Sequence, residues 1–220
     1  GYGITAKMPT LLYLYPEKAY FEYVNINELA NESIPENERL FMTTTKVYDT
    51  ENRNLKVSKN HKAEIGLRLN VGKVSASVTA FQERLKNGYS LDYTFDTFNT
   101  FMYNEYTRNA NGDLILASSL PVLNSFYTPT NNLNVETQGL EFDINIGRLE
   151  AIRTAFQLNG AWMRTKSWSD SYHFYDNSGT SASSRKPVAI YEAGTSKSYR
   201  QQFATTLRAT HNLPQIRFVV

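Results

Sequence analysis

Ala63-Glu64-Ile65-Gly66-Leu67-Arg68-Leu69-Asn70-Val71 alternates without a break. Every odd position is apolar, and the even positions are acidic, glycine, basic and amide. Successive side chains of a strand point to opposite faces, so this stretch reads as a period-2 strand with one apolar and one polar face. Val74, Ala76, Val78 and Ala80 continue the rhythm against Ser75, Ser77 and Thr79, with Gly72-Lys73 as a tight turn. Residues 62–86 therefore read as a β-hairpin.

The pattern recurs downstream. Leu140, Phe142, Ile144 and Ile146 alternate with Glu141, Asp143 and Asn145, and a turn is expected at Gly147 to Glu150. Ile152, Thr154, Phe156, Leu158, Gly160 and Trp162 form the return strand. Phe203, Thr205, Leu207 and Ala209 form another, turning at Asn212-Leu213-Pro214 into Ile216, Phe218 and Val220. About eight strands are expected in all, in an all-β antiparallel meander. One short helix is expected within Asn25 to Arg39.

The turns inside these hairpins are short. The connections between hairpins are long, over 87–136 and 166–197, with a shorter one at 49–61. In an antiparallel meander this sorting puts short turns at one end and long loops at the other, as in outer-membrane barrels. Arg or Lys on a lipid face costs roughly 2–4 kcal/mol at the bilayer midplane. In a barrel, then, Ala63, Ile65, Leu67, Leu69 and Val71 would face lipid, and Glu64, Arg68 and Asn70 a wet interior. A soluble sheet with one solvated face gives the same alternation, and periodicity does not choose between them.

Composition removes other classes. The 220 residues carry 23 Lys plus Arg and 21 Asp plus Glu, a net charge of +2, which gives no basic stripe for nucleic acid. There is no Cys, hence no disulfide scaffold, no Cys-ligated zinc and no thiol nucleophile. The longest apolar run, Leu11 to Tyr15, falls far short of the roughly 20 residues of a membrane helix. The mean hydropathy of −0.47 does not exclude a membrane barrel, whose strands are half polar.

Two segments carry a resemblance. Gly1-Tyr2-Gly3-Ile4-Thr5-Ala6-Lys7-Met8-Pro9-Thr10-Leu11-Leu12-Tyr13-Leu14-Tyr15-Pro16 is similar to the Gly-Phe-(Arg/Lys)-x-Pro-(Ser/Thr)-Leu-x-x-Leu-Tyr segment of TonB-dependent outer-membrane receptors. Asn54-Leu55-Lys56-Val57-Ser58-Lys59-Asn60-His61-Lys62-Ala63-Glu64-Ile65-Gly66-Leu67 resembles their Asn-Leu-Lys-Pro-Glu…Glu-(Leu/Ile)-Gly-Leu strand entry. Thr137-Gln138-Gly139-Leu140-Glu141-Phe142 echoes a third strand start. Val57-Ser58 replaces the usual Pro-Glu, and Ala63 the usual aromatic, which points to a divergent branch with the flavour of SusC-like and other Bacteroides-type receptors.

The resemblance implies an arc of a 22-stranded transmembrane β-barrel around a plugged lumen. Residues 1–220 would be a partial barrel domain. Neither end looks finished, so the plug domain and terminal strands are expected elsewhere in a longer parent chain. The implied function is TonB-dependent uptake of a scarce ligand (glycan, peptide, siderophore or cobalamin) in the bacterial outer membrane. It needs no cofactor and involves no catalysis. Implied partners are outer-membrane lipid, the plug and remaining strands, the TonB complex and a surface lipoprotein. Two other readings stay open: a small stand-alone barrel with a structural or adhesive role, and a soluble β-sandwich that binds carbohydrate.

Aromatic residues are the candidates for ligand contact: Tyr13, Tyr15, Tyr93, Tyr103, Trp168, Tyr172 and Phe174. Tyr and Trp offer a flat apolar surface with a polar handle, suited to sugars and peptides. The competing reading is loop packing or a membrane girdle. His61, His173 and His211 lack metal-ligand spacing and read as surface or loop residues. Asn109-Ala110-Asn111-Gly112-Asp113 lacks the distal Glu of a calcium loop and reads as a loop-tip turn. Glu141 and Asp143 share one strand face and read as solvated carboxylates rather than an acid–base pair.

Overall fold

The computed structural model describes residues 1–176, 188–213, 215 and 218–220. In chain order the strands are β1 (Tyr2–Lys7), β2 (Ala19–Asn27), β3 (Phe41–Tyr48), β4 (Ser58–Val71), β5 (Val74–Asp92), β6 (Phe98–Arg108) and β7 (Leu114–Ser125). They continue with β8 (Thr128–Leu149), β9 (Thr154–Ser169), β10 (His173–Asp176), β11 (Val188–Tyr191), β12 (Lys197–Leu213) and β13 (Phe218–Val219). Seven of them form one antiparallel sheet in the order β1-β4-β5-β8-β9-β12-β13. The other six pair as hairpins, β2 with β3, β6 with β7 and β10 with β11. No helix among the described residues is long and apolar enough to cross a membrane.

The registers explain why the alternation matters. Directly paired residues of an antiparallel sheet lie on the same face. Leu67 pairs with Val78, Val78 with Phe142, Phe142 with Gly160 and Gly160 with Thr205. Ile65, Ala80, Leu140, Trp162 and Phe203 form the adjacent row on that face, and Leu69, Ala76, Ile144, Leu158 and Leu207 the row beyond it. The apolar residues of five strands thus merge into one band. The opposite face is polar at the same levels, with Arg68, Ser77, Asp143, Asn159 and Thr206 in one row. Among the described residues no second layer covers the band: Leu67 is 77% exposed, and Leu207 65%.

The three hairpins β2–β3, β6–β7 and β10–β11 all interrupt connections at one end of the sheet, while Gly72-Lys73 and the turn after Leu149 lie at the other. The end-sorting expected from the sequence is therefore present. Several details differ. The connection expected over 87–136 is mostly strand: β5 and β8 extend far past the alternating stretches, and a hairpin fills the rest. The connection after β1 likewise contains β2–β3. No α-helix forms within Asn25–Arg39. β2 runs to Asn27, and only a short 3-10 turn at Glu36–Glu38 follows. Asn27 and Asn31 accept backbone N–H bonds from residues two ahead, and Pro35 sits before the turn, so the local chemistry favours turns. The single-turn α-helix lies instead at Leu11–Leu14. Gly147 belongs to β8 at a bulge, so the β8–β9 turn falls later than expected, over 150–153. Ile216, expected in the last strand, lies outside the described residues.

Candidate functional site

At the long-connection end, β2–β3 packs against β6–β7. The sequence makes this contact with aromatic residues that have polar tips. Tyr23 lies 5.0 Å from Phe101 and 5.5 Å from Tyr103, ring centre to ring centre. Its hydroxyl donates to Asn124 Oδ1, and the Tyr103 hydroxyl donates to the Val24 carbonyl. Asn25 donates to the Asn104 carbonyl at 2.7 Å and accepts from Thr44 Oγ1 at 2.7 Å. Burial raises the Tyr23 and Tyr103 phenol pKa values, since it disfavours the charged form.

A charged clasp closes the far side of the same contact. Arg108 Nε donates to Glu28 Oε1 at 2.8 Å and Nη2 to Oε2 at 3.2 Å, in a bidentate pair. Arg108 also donates to the Glu38 and Gly112 carbonyls, and the Leu40 N–H donates to Glu28. The Arg108 hydrogen bonds hold the Glu28 carboxyl below the usual carboxylate range; partial burial opposes this and the Leu40 N–H adds to it. Nothing in the local sequence marks residues 28 and 108 as partners. Only the packing of the β2–β3 hairpin against β6–β7 brings them together.

The third hairpin joins a second aromatic cluster. Phe174 sits 5.0 Å from both Phe95 and Phe98, and Tyr172 sits 5.5 Å from Phe95. Tyr93 stacks on Tyr127 at 4.2 Å and lies 5.5 Å from Phe98.

The structure thus gathers Tyr93, Tyr172 and Phe174, three of the seven candidate residues, into one cluster. Phe174 is buried at its centre, while Tyr172 stays 48% exposed. Tyr103 is buried in the other contact. Tyr13 packs against Tyr89, whose hydroxyl fastens the entry of β4 by bonding the Lys7 and Lys56 carbonyls. Tyr15 is exposed and lies apart. Trp168 lies on the sheet face that carries the apolar band, beyond its edge, with Nε1 donating to Asp170. Tyr127 and Tyr191 are further exposed aromatics, ones that the sequence did not single out.

The remaining candidates have ordinary surroundings. His61 faces the Tyr2 hydroxyl at 2.9 Å, and His211 faces Thr154 Oγ1 at 2.8 Å. Asn109 Oδ1 accepts from the N–H groups of Asn111 and Asp113 in the tip of β6–β7, a turn as expected. No group of three potential metal ligands occurs among the described residues. Glu141 and Asp143 border an open depression of about 450 Å³ on the polar face, where Gln157 donates to Asp143 at 3.0 Å.

A family model described as TonB dependent receptor-like, β-barrel, matches residues 1–213. No curated protein and no solved structure matches the chain.

Proposed function

Since the chain belongs to the TonB-dependent receptor-like β-barrel family, we propose that it supplies an arc of the wall, and part of the outer mouth, of a transporter for a scarce nutrient. The family is one of outer-membrane receptors that transport and do not catalyse. The observation that carries the reading is the two-faced sheet. One face is a band of apolar rows over which no described residue forms a layer, and the other is polar. A bilayer covers such a band as a second protein layer would, and a lumen solvates the other face. The hairpins at the long-connection end then stand outside the cell, where a ligand first meets the barrel.

The ligand classes that fit the receptor reading are glycans, peptides, siderophores and cobalamins. Tyr15, Tyr93 and Tyr172 are offered as contacts; Trp168, on the face that continues the apolar band, is not. Tyr13, Tyr103 and Phe174 would support the mouth by packing. A plug, further strands and TonB contact belong to the parent chain in this reading, with a surface lipoprotein partner as in SusC-like systems. The experiment is uptake by cells that depend on the parent protein, with each nutrient class offered as sole source. Tyr172→Ala should slow uptake of one class while leaving the amount of protein in the outer membrane unchanged. Unchanged uptake of every class would remove the aromatic mouth from the function. Absence of the protein from the outer membrane would remove the transporter.

A further inference from the structure

Beyond the apolar band, toward the hairpin end, the same sheet face changes chemistry abruptly. The next three rows on that face come from β4, β5, β8, β9 and β12. They carry six cations, Lys59, Arg84, Lys86, Arg164, Lys166 and Lys197, and one anion, Glu136. The polar face at the same levels is balanced, with Lys62 and Arg200 against Glu64 and Glu83. The excess of positive charge is therefore confined to the side that continues the apolar band.

Glu136 is already engaged. It accepts from Gln82 at 2.6 Å and from Arg84 at 3.1 Å. Among the described residues Arg164, Lys166, Lys59, Lys86 and Lys197 form no ion pair. Two of these cations lie over aromatic rings. Lys166 Nζ is 4.9 Å from the centre of the Trp168 ring, and the Arg164 guanidinium is 5.9 Å from that of Tyr199. A depression of about 270 Å³ opens on this face between Tyr2, His61, Gln82, Arg84 and Lys86. Trp and Tyr favour the membrane–water boundary, and basic side chains beside it attract anionic headgroups.

We propose that this collar binds the phosphate groups of lipids in the outer leaflet, docking phosphorylated headgroups directly above the apolar band. Charge complementarity selects an anionic partner, and continuity with the band selects one whose tails enter the bilayer. The inference rests on the outer-membrane reading given above.

The test uses the assembled parent protein in vesicles of phosphatidylcholine containing a minor share of phosphatidic acid. Spin-labelled forms of the two lipids report which of them contacts the protein. Phosphatidic acid should be enriched at the protein surface. Each neutralised cation should lower that enrichment by about fivefold, the factor equivalent to the ~1 kcal/mol of a surface Lys or Arg. The Arg164→Gln/Lys166→Gln variant should therefore lose most of it, and Lys62→Gln/Arg200→Gln on the polar face should lose none. Insertion without enrichment, or equal loss in both variants, overturns the collar and leaves the receptor reading intact. Failure of the wild-type protein to enter the bilayer overturns both.

Discussion

Phe142 on β8 lies over Gly160, its direct partner on β9: a Cβ built on Gly160 would come within 2.6 Å of the Phe142 ring. The apolar band is thus continuous at this point because a glycine leaves room for the aromatic of the next strand. The opposite face repeats the device. A Cβ on Gly139 would meet the Phe81 ring at 2.8 Å and the Trp162 carbonyl at 2.6 Å.

Gly160→Val should therefore push the Phe142 ring off its site, or push β9 from β8. Overpacking of this kind costs about 1–3 kcal/mol. Urea unfolding of the parent barrel in vesicles should show a lower midpoint. The double variant Gly160→Val/Phe142→Leu should recover only part of the loss, because the ring is gone but the Ala204 carbonyl still lies 2.9 Å from the added Cβ. An unchanged midpoint in the single variant would show that neither the ring nor the Ala204 carbonyl resists the added side chain.

Leu67→Arg and Arg68→Leu form a pair of neighbours with opposite expectations. Leu67 is in the middle of the apolar band, and Arg68 points to the polar face. The first substitution puts a charge into lipid at roughly 2–4 kcal/mol near the midplane and should reduce display of the parent protein at the cell surface. The second should leave display near the wild-type level. Equal display of both would invert or abolish the assignment of faces.

Gly72 and Gly147 both adopt positive φ, +59° and +72°. Around Gly72 the space is open, whereas a Cβ on Gly147 would meet the Lys73 carbonyl at 2.7 Å. Asn tolerates the left-handed region better than other non-glycine residues. Gly72→Asn should be close to neutral, while Gly147→Asn should slow refolding into vesicles and lower the yield of the folded, heat-modifiable band on gels.

The Glu28–Arg108 clasp gives the mouth a pH dependence. Because the folded-state pKa of Glu28 is lowered, its contribution is complete above the ordinary glutamate value of about 4.3 and is lost as pH falls through the lowered one. Limited proteolysis at the tips of β2–β3 and β6–β7 should accelerate in acid, below the ordinary glutamate range. Arg108→Gln should cleave faster already at neutral pH and show a weaker acid response. Identical pH profiles for the two proteins would mean that the clasp does not fasten the hairpins.

The wall was legible in the sequence, and the mouth was not. In residues 63–71 and 140–146 one face meets an apolar surrounding and the other a polar one, so burial prints itself as strict alternation. β2 and β6 carry aromatics on both faces: Tyr20 is 65% exposed while the rings of Phe21 and Tyr23 pack inward. Their sequences therefore lose the period of two, and β7 even carries Pro121 opposite Met102, which reads as loop. Ligand candidates chosen for aromaticity alone could not separate exposed Tyr172 from buried Tyr103, because both are tyrosines in segments without periodicity.

The sequence by itself determined an all-β chain with two-faced strands and end-sorted connections, because these follow from local alternation and turn residues. Its motifs determined the family resemblance. Tertiary structure decided which residues share a row. The register across five strands merges short apolar runs into one band and stacks six scattered cations into a collar along its edge. A single sequence does not carry that register, because it is set by hydrogen bonds and packing between residues far apart in the chain.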